Sequence, residues 1–592
     1  MKKFFALLLV CCMLCGCTAA PADTTAPAEI TGSAQVETQP PATDAPEFQL
    51  TGDVVQIDLR DQDITVSGDG SGVYTSRDIV YYEDKTEYDS GNPYGEGDDW
   101  ERHSAEEAAE HLVVNITAPG NYRLSGRLNK GQIRIDLGEE AYEDPNAVVN
   151  LILDGVDITC EVGPAILFQN VYECDGDWSV DTAKPDVDTT AAGANLVLAE
   201  GSENIVNGSH VAKIFKDKEG EKKLWKQDGA VYSYMSMNVW GPGALDIYAD
   251  NEGLDTELHL TILGGDINIY AGNDGINTNE DGVSVTAIHG GSLHITAGLR
   301  DEGDGIDSNG YLVIYGGTVV SAAHPAADAG LDSDLGSFVH GGTVLALGST
   351  MDWAESDSEQ VTINLQFARQ QSASSSIVIA REDGTVVFAY DPAQDEVLGE
   401  NTRSYQGAII SCPGFQVGDS YEVFLGAVIE GTEVAGIYDA ATVTGFTGGV
   451  QMAYTGTDVM RGPGGMPPVE GGQQPQGGME MPGGQAPGDM PQPPEGGFGE
   501  PPQGGEGMPQ GGEGVPPMPE GEMPEDWTMP SMPAGEVPQG GQMPPEGFGG
   551  GPGGPGGFGG FGDGGSGEEG EKQTLFFMQD KVNFFSGLTE AE

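Results

Sequence analysis

The sequence predicts an all-β chain whose folded body is a parallel β-helix with terminal capping segments, joined to a disordered Gly/Pro/Met-rich region. Three observations predict it. Gly-Gly pairs stand at Gly264-Gly265, Gly290-Gly291, Gly316-Gly317 and Gly341-Gly342, at spacings of 26, 26 and 25 residues. On both sides of each pair lies a short run alternating between apolar and polar residues, the period of a strand, and a glycine between two strands marks a sharp bend. No helix-period segment of comparable length intervenes, so a leucine-rich horseshoe is disfavoured. A 25-residue unit of short strands cannot close its own core, and such units stack as a solenoid.

Taken in chain order, the first element is a leader. Lys2-Lys3 precede an apolar run that ends in Leu14-Cys15-Gly16-Cys17, the pattern of a cleaved secretory signal rather than of a spanning helix. Its end resembles a bacterial lipobox. That resemblance implies a lipoprotein signal peptide at residues 1–16, lipidation of Cys17, and a protein held by its acyl chain at the outer face of the cytoplasmic membrane. Residues 17–47, rich in Ala, Thr and Pro, read as a flexible tether. Four of the seven cysteines, Cys11, Cys12, Cys15 and Cys17, lie in the leader or directly after it. The remaining Cys160, Cys174 and Cys412 form no zinc pattern and read as buried free thiols, with a Cys160–Cys174 pair left open.

Residues 48–460 form the folded body. Its strands flank the glycine pairs at 258–263 with 267–270, 283–288 with 293–296, 312–315 with 318–321, and 338–339 with 343–347. Leu245 and Ile247, Ile267 and Ile269, and Leu293 and Ile295 occupy matching positions and predict inward ladders. A solenoid exposes sheet edges only at its ends, and residues 48–140 and 358–460 are the expected caps. The first of these carries a short helical stretch between Asp98 and His111.

Residues 461–571 follow as a low-complexity segment. From Gly462 to Glu571 there are 38 Gly, 23 Pro and 10 Met in 110 residues and no Lys or Arg, a composition that cannot bury enough apolar surface to offset its ordering entropy. The chain then regains strand character at 572–592. Val582-Asn583-Phe584-Phe585-Ser586-Gly587 echoes Val443-Thr444-Gly445-Phe446-Thr447-Gly448, which predicts that the last residues return to the folded body.

Each repeat also carries an acidic loop after its second strand. The copies are Asn251-Glu252-Gly253-Leu254-Asp255-Thr256, Asn273-Asp274-Gly275-Ile276-Asn277-Thr278, Gly303-Asp304-Gly305-Ile306-Asp307-Ser308 and Asp328-Ala329-Gly330-Leu331-Asp332-Ser333. The aliphatic residue can plug the core while the flanking oxygens face outward. Stacking brings those oxygens into columns about 4.8 Å apart, where uncompensated carboxylates repel. Between Lys223 and Arg369 the only cations are Lys226 and Arg300, too few to neutralise the columns. Ca²⁺ takes oxygen ligands of this kind. The expected ligands are Asp255, Asp274, Asn277, Asp304, Asp307, Asp328 and Asp332, with solvated Asp-Gly turns as the plain alternative.

The run Asn150-Leu151-Ile152-Leu153-Asp154-Gly155-Val156-Asp157-Ile158-Thr159, with Gly163-Pro164-Ala165-Ile166, Asn195-Leu196-Val197-Leu198-Ala199-Glu200-Gly201-Ser202 and Ser404-Tyr405-Gln406-Gly407-Ala408-Ile409, resembles a family of clostridial cell-surface proteins, the carbohydrate-binding domain-containing proteins. The likeness covers about residues 50–450. It implies a right-handed parallel β-helix similar to polysaccharide lyases, with bound calcium, that binds plant cell-wall polysaccharide such as cellulose or pectic chains. The chain departs from that pattern by the lysine-rich insertion between Lys213 and Lys226, expected as a solvated loop, and by its Gly/Pro/Met segment.

Function then divides between a non-catalytic binder at the cell surface, a calcium-dependent polysaccharide lyase and a structural adhesin. Sugar rings stack on aromatic side chains, and two columns offer them: Tyr248 with Tyr270, and His289 with Tyr315 beside Leu263 and His340. For a lyase, the cationic base that β-elimination needs is represented from residue 227 to 368 by Arg300 alone, beside Asp301 and Glu302. A binder is therefore the favoured reading. The net charge of −70 argues against nucleic acid as a partner, and no phosphate loop or Ser/His/Asp arrangement is present.

Overall fold

The structure, a computed structural model, describes residues 48–83, 97–176, 178–215, 223–300, 302–326, 328–349, 353–392, 394, 403–434, 436–458 and 572–591. The signal peptide, Cys17, the tether and the low-complexity segment lie outside these residues. The described chain is overwhelmingly β.

Each turn of the solenoid lays down three strands. Leu260–Ile262, Asp266–Ala271 and Ile276–Thr278 make one turn; Val285–Ile288, Ser292–Thr296 and Ile306–Ser308 make the next; Tyr311–Ile314, Thr318–Ala322 and Leu331–Ser333 follow. Every strand pairs in parallel with its counterpart one turn on, which produces three ladders. On the second ladder Leu245, Ile267, Leu293, Val319 and Val344 stand in register, as do Ile247, Ile269 and Ile295. All of them are buried, and each contributes about 1.5–3 kcal/mol by leaving water.

The first two strands of each turn were legible from the alternation. The third corrects the sequence reading: the acidic motif is a strand, not a loop. Leu254, Ile276, Ile306 and Leu331 pair in register and point into the core. The motif was misread because three residues with only one aliphatic among them carry no alternation to detect.

The glycine pairs turn the chain from the first ladder to the second. Gly291 and Gly317 adopt φ values of 88° and 86°, in the left-handed region that side chains disfavour. Stacking adds a second constraint. A Cβ on Gly317 would stand 2.7 Å from the Gly291 carbonyl oxygen, and one on Gly291 would stand 2.6 Å from that of Gly265.

At the N-terminal end Val54–Arg60 runs parallel to Gly120–Leu128 and folds back antiparallel on Asp63–Ser67. Val73–Ser76 closes the third ladder antiparallel to Leu112–Ile116. The expected helical stretch resolves into a 3₁₀ turn, Asp99–Glu101, and a helix, Ala105–Glu110. Ser104 caps that helix by accepting from the Glu107 amide at 3.2 Å, and the Glu107 carboxylate accepts from the Ser104 amide at 2.8 Å.

At the other end the parallel pattern stops where Thr343–Gly348 pairs antiparallel with Tyr405–Ser411. An antiparallel module with its own core covers the outer side of the second ladder there, burying Val320, Ala322, Leu345 and Leu347 against residues such as Ile363, Tyr405 and Ile410. The C-terminal strand Val582–Glu590 joins this module, parallel to Thr362–Gln371 and antiparallel to Gly456–Asp458. Phe585 and Leu588 enter its core. Cys160 and Cys412 are buried free thiols, and Cys174 is also unpaired.

Candidate cation and carbohydrate site

The third ladder aligns Tyr232, Asp255, Asn277, Asp307 and Asp332 in one column. At the entry to three of its strands stands a further acid: Glu252, Asp274 and Asp304. Burial is what makes this face chemically unusual. Glu252 is 4% exposed and Asp255 is 0% exposed, where a bare carboxylate is costly.

Hydrogen bonds satisfy part of the array. Asn279 Nδ2 donates to Asp255 Oδ1 at 2.5 Å and Asn277 Nδ2 to Glu252 Oε1 at 3.2 Å. The amide of Asp304 donates to Asp274 Oδ1 at 2.7 Å, that of Ala329 to Asp304 Oδ1 at 2.6 Å, and that of Gly303 to Asp328 Oδ2 at 2.9 Å. Two buried oxygens, Glu252 Oε2 and Asp255 Oδ2, have no partner among the described residues.

Electrostatics follow from that geometry. Burial, then the Glu252 carboxylate, pushes Asp255 well above the usual carboxylate range, and burial with Glu252 and Asp307 does the same to Asp274. Asp304 is pushed to about 8 by burial and by Asp332, Asp307 and Asp328. Asp307 rises to about 7 by burial and by Asp332 and Glu252. Repulsion of this kind holds protons on carboxylates near neutrality unless a cation displaces them.

One cation is supplied from within. The lysine-rich insertion is anchored by an antiparallel hairpin, Val211–Phe215 with Lys223–Gln227, and residues 216–222 lie outside the described residues. Lys226 departs from the expectation of a solvated loop. Its Nζ lies 2.5 Å from Asp228 Oδ2 and donates to Asn279 Oδ1 at 2.9 Å. Burial opposes its charge, but Glu252, Asp255, Glu257 and Asp274 together raise its pKa.

Of the expected ligands, the structure brings Asp255 together with two acids that sequence reasoning missed. Asp228, Glu252 and Asp255 place ligand oxygens within 4.8 Å of one another, the one such triad among the described residues. Glu252 holds the same motif position as Asp274 and Asp304 and was detectable on that ground. Asp228 opens Asp228-Gly229-Ala230-Val231-Tyr232, a degenerate earlier copy of the motif that pairs with it in register. Asp274, Asp304 and Asp328 are linked through backbone amides rather than gathered in a triad, and Asn277, Asp307 and Asp332 extend the column beside them. Hard oxygen donors, buried and partly unpartnered, fit a cation such as Ca²⁺.

The aromatic candidates form stacks. Tyr248 and Tyr270 face each other at 5.1 Å and 8°, His289 and Tyr315 at 4.5 Å and 11°, and Tyr315 and His340 at 5.3 Å. Rings stacked in this way cover one another's faces and turn their edges to water, although Tyr248 remains 42% exposed. A different aromatic stands apart from these stacks. Trp100, on the 3₁₀ turn, is 51% exposed, with the Arg300 guanidinium 4.9 Å from its ring centre and the His210 ring at 5.7 Å. His210 is held between Glu101 Oε1 at 2.8 Å and Asp250 Oδ1 at 3.0 Å. Burial would lower its pKa, but these two carboxylates raise it to about 9.

A cleft of about 460 Å³ opens beside His210, lined by Glu101, His210, Lys213, Lys226, Asp228 and Glu252 among others. The acid triad thus contributes two of its three members, Asp228 and Glu252, to the cleft.

Residues 110–182 and 180–402 match the family model described as carbohydrate-binding domain-containing protein. A relative from Acetivibrio thermocellus with the same description is 32% identical over 155 residues, 26% of this chain and 43% of the relative, so the chain spans less than half of that protein's length. A solved structure described as the polysaccharide lyase-like protein from C. thermocellum, in a gadolinium derivative, aligns at 22% identity over 49% of this chain and 92% of the other, with a TM-score of 0.30. Through residues 110–402, the chain belongs to the carbohydrate-binding domain-containing protein family.

Proposed function

We propose that this protein is a membrane-anchored, extracytoplasmic carbohydrate-binding protein, stabilised by calcium, that recognises plant cell-wall polysaccharide, cellulose or pectic chains, without catalysis. The observation that carries the calcium part is the pair of buried, unpartnered oxygens, Glu252 Oε2 and Asp255 Oδ2, within a stacked array of acids. Asp228, Glu252 and Asp255 would hold the ion, which supplies positive charge where the fold has concentrated negative charge. Anchorage through Cys17 and the right-handed sense of the helix belong to the same reading. Both rest on the sequence resemblances.

The non-catalytic part rests on the cations present. A base for β-elimination must give up its proton near neutral pH, whereas the pKa of Lys226 is raised by its acidic neighbours. Arg300 is engaged with the Trp100 ring and lies 3.8 Å from Asp250.

The test is a polysaccharide-binding screen with and without calcium, run beside assays for new reducing ends and for unsaturated products. Calcium-dependent retention on a polysaccharide without product is expected. Release of unsaturated product would replace the binder with a lyase, and retention on nothing would remove the carbohydrate role.

A further inference from the structure

We propose that the antiparallel module at the C-terminal end of the solenoid carries a binding site for a free aliphatic α-amino acid, held by Arg369 through its carboxylate and by Glu590 through its ammonium. The site is separate from the acid triad and goes beyond the carbohydrate reading above, which it does not need.

The pairing of the strands opens the site. Thr362–Gln371 and Val582–Glu590 run in parallel as far as Phe367 and Leu588, the last residues of the two that pair. There they part. Thr589 and Glu590 turn to Ala453 and Met452 on Gly445–Ala453, while Gln371 pairs with Tyr405 on the opposite neighbour. A cavity of about 320 Å³ is lined by side chains of both parted strands, a volume at the lower end of small-ligand sites. Most of its lining lies beyond residue 402 and so outside the residues matched by the family model.

Three features of the lining define the ligand. Leu425, Met452 and Leu588, all members of the buried core of the module, give it aliphatic surface. Arg369 and Glu590, both exposed, line the same cavity and pair neither with each other nor with any other charged side chain among the described residues. Thr589 Oγ1 is buried and has no hydrogen-bond partner among the described residues, a cost that a polar ligand atom removes.

A cation and an anion that border one small cavity without bonding each other are complementary to a ligand carrying both charges. An α-amino acid does so on a single carbon. Its carboxylate accepts from the planar guanidinium, its ammonium donates to Glu590, and an aliphatic side chain covers Leu425, Met452 and Leu588. Because the zwitterion has no net charge, the −70 of the chain does not oppose its approach. A sugar fits less well, since no aromatic ring lines the cavity among the described residues.

The test is calorimetric titration of the full chain with L-leucine, with leucinamide, which lacks the carboxylate, and with N-acetyl-leucine, which lacks the ammonium. Wild type, Arg369→Gln and Glu590→Gln are compared, with melting temperatures recorded alongside. Wild type should bind leucine saturably and each analogue roughly tenfold more weakly, the effect of one charge-assisted contact. Arg369→Gln should weaken leucine by a similar factor and leave leucinamide unchanged. Glu590→Gln should weaken leucine and leave N-acetyl-leucine unchanged, and both variants should melt as the wild type does. No leucine heat at millimolar concentration, analogues that bind as tightly as leucine, or wild-type affinity in either variant overturns the site. Binding of cellobiose in place of leucine overturns the ligand class. None of these outcomes alters what the polysaccharide screen above decides, so the two readings fail separately.

Discussion

His210 keeps its proton because two carboxylates from distant parts of the chain close on it, Glu101 from the N-terminal segment and Asp250 from a solenoid turn. Its folded pKa of about 9 exceeds the ordinary 6.5, so the bridge contributes in full below pH 6.5 and is lost as pH rises through 9. The stake is on the order of 3 kcal/mol. Thermal melts in saturating calcium should therefore fall between pH 6.5 and 9 in the wild type, and His210→Gln should start lower and lose most of that slope. An equally steep slope in the variant would assign the pH dependence elsewhere. Residues of this kind were invisible in the sequence, since nothing local to Trp100 or His210 announces that 109 positions of chain separate His210 from its partner Glu101.

At the scale of the single element, the third ladder and the glycine bends make opposite demands. The bends need the absence of a side chain. Gly317→Ala places a Cβ against the carbonyl of Gly291 at a φ of 86°, and should cost about 1–3 kcal/mol, read as a lower denaturation midpoint. Gly201 also has positive φ, 72°, but its Cβ would meet nothing within 4 Å, so Gly201→Ala should cost less. Equal losses would mean that backbone strain alone, and not turn stacking, sets the requirement.

The ladder instead needs its carboxylates neutralised, by protons or by a cation. Asp304 and Asp307 have folded pKa values of about 8 and about 7 against an ordinary 3.8. Raised carboxyl pKa values favour the folded state while protonated, so chelated protein should lose stability as pH rises from about 4 to 8. Calcium should suppress that loss, and Asp304→Asn should lessen it in the chelated state. A pH-independent melt in chelator would deny that these acids are held together by force of the fold.

For the molecule as a whole, the chain closes on itself. Val582–Glu590 completes the module that covers the last solenoid turns, with Phe585 and Leu588 in its core. Phe585→Ala should cost about 3–5 kcal/mol, as large-to-small core changes do. A single proteolytic cut between residues 459 and 571 should leave the C-terminal peptide bound to the body through size-exclusion chromatography. Its release would show that the strand holds no independent affinity.

The solenoid was readable because stacking repeats a demand: a glycine pair at successive bends and, on the second ladder, an inward aliphatic residue in each turn from Leu245 to Val344. The site was readable only in part. Asp255 came from the repeated motif, but Asp228 and Lys226 lie in a turn and a hairpin whose sequences depart from it, and three-dimensional proximity alone joins them to Glu252. Glu101 reaches the cleft through its ion pair with His210 rather than through any periodic pattern.

The most direct measurement is a calorimetric calcium titration of chelator-stripped wild-type protein beside Glu252→Gln and Asp255→Asn. Expected is saturable calcium binding with a rise in melting temperature, weakened by roughly tenfold or more in both variants through loss of a carboxylate ligand. Absence of calcium heat in the wild type, or the same affinity in all three proteins, would contradict a cation held by the third ladder.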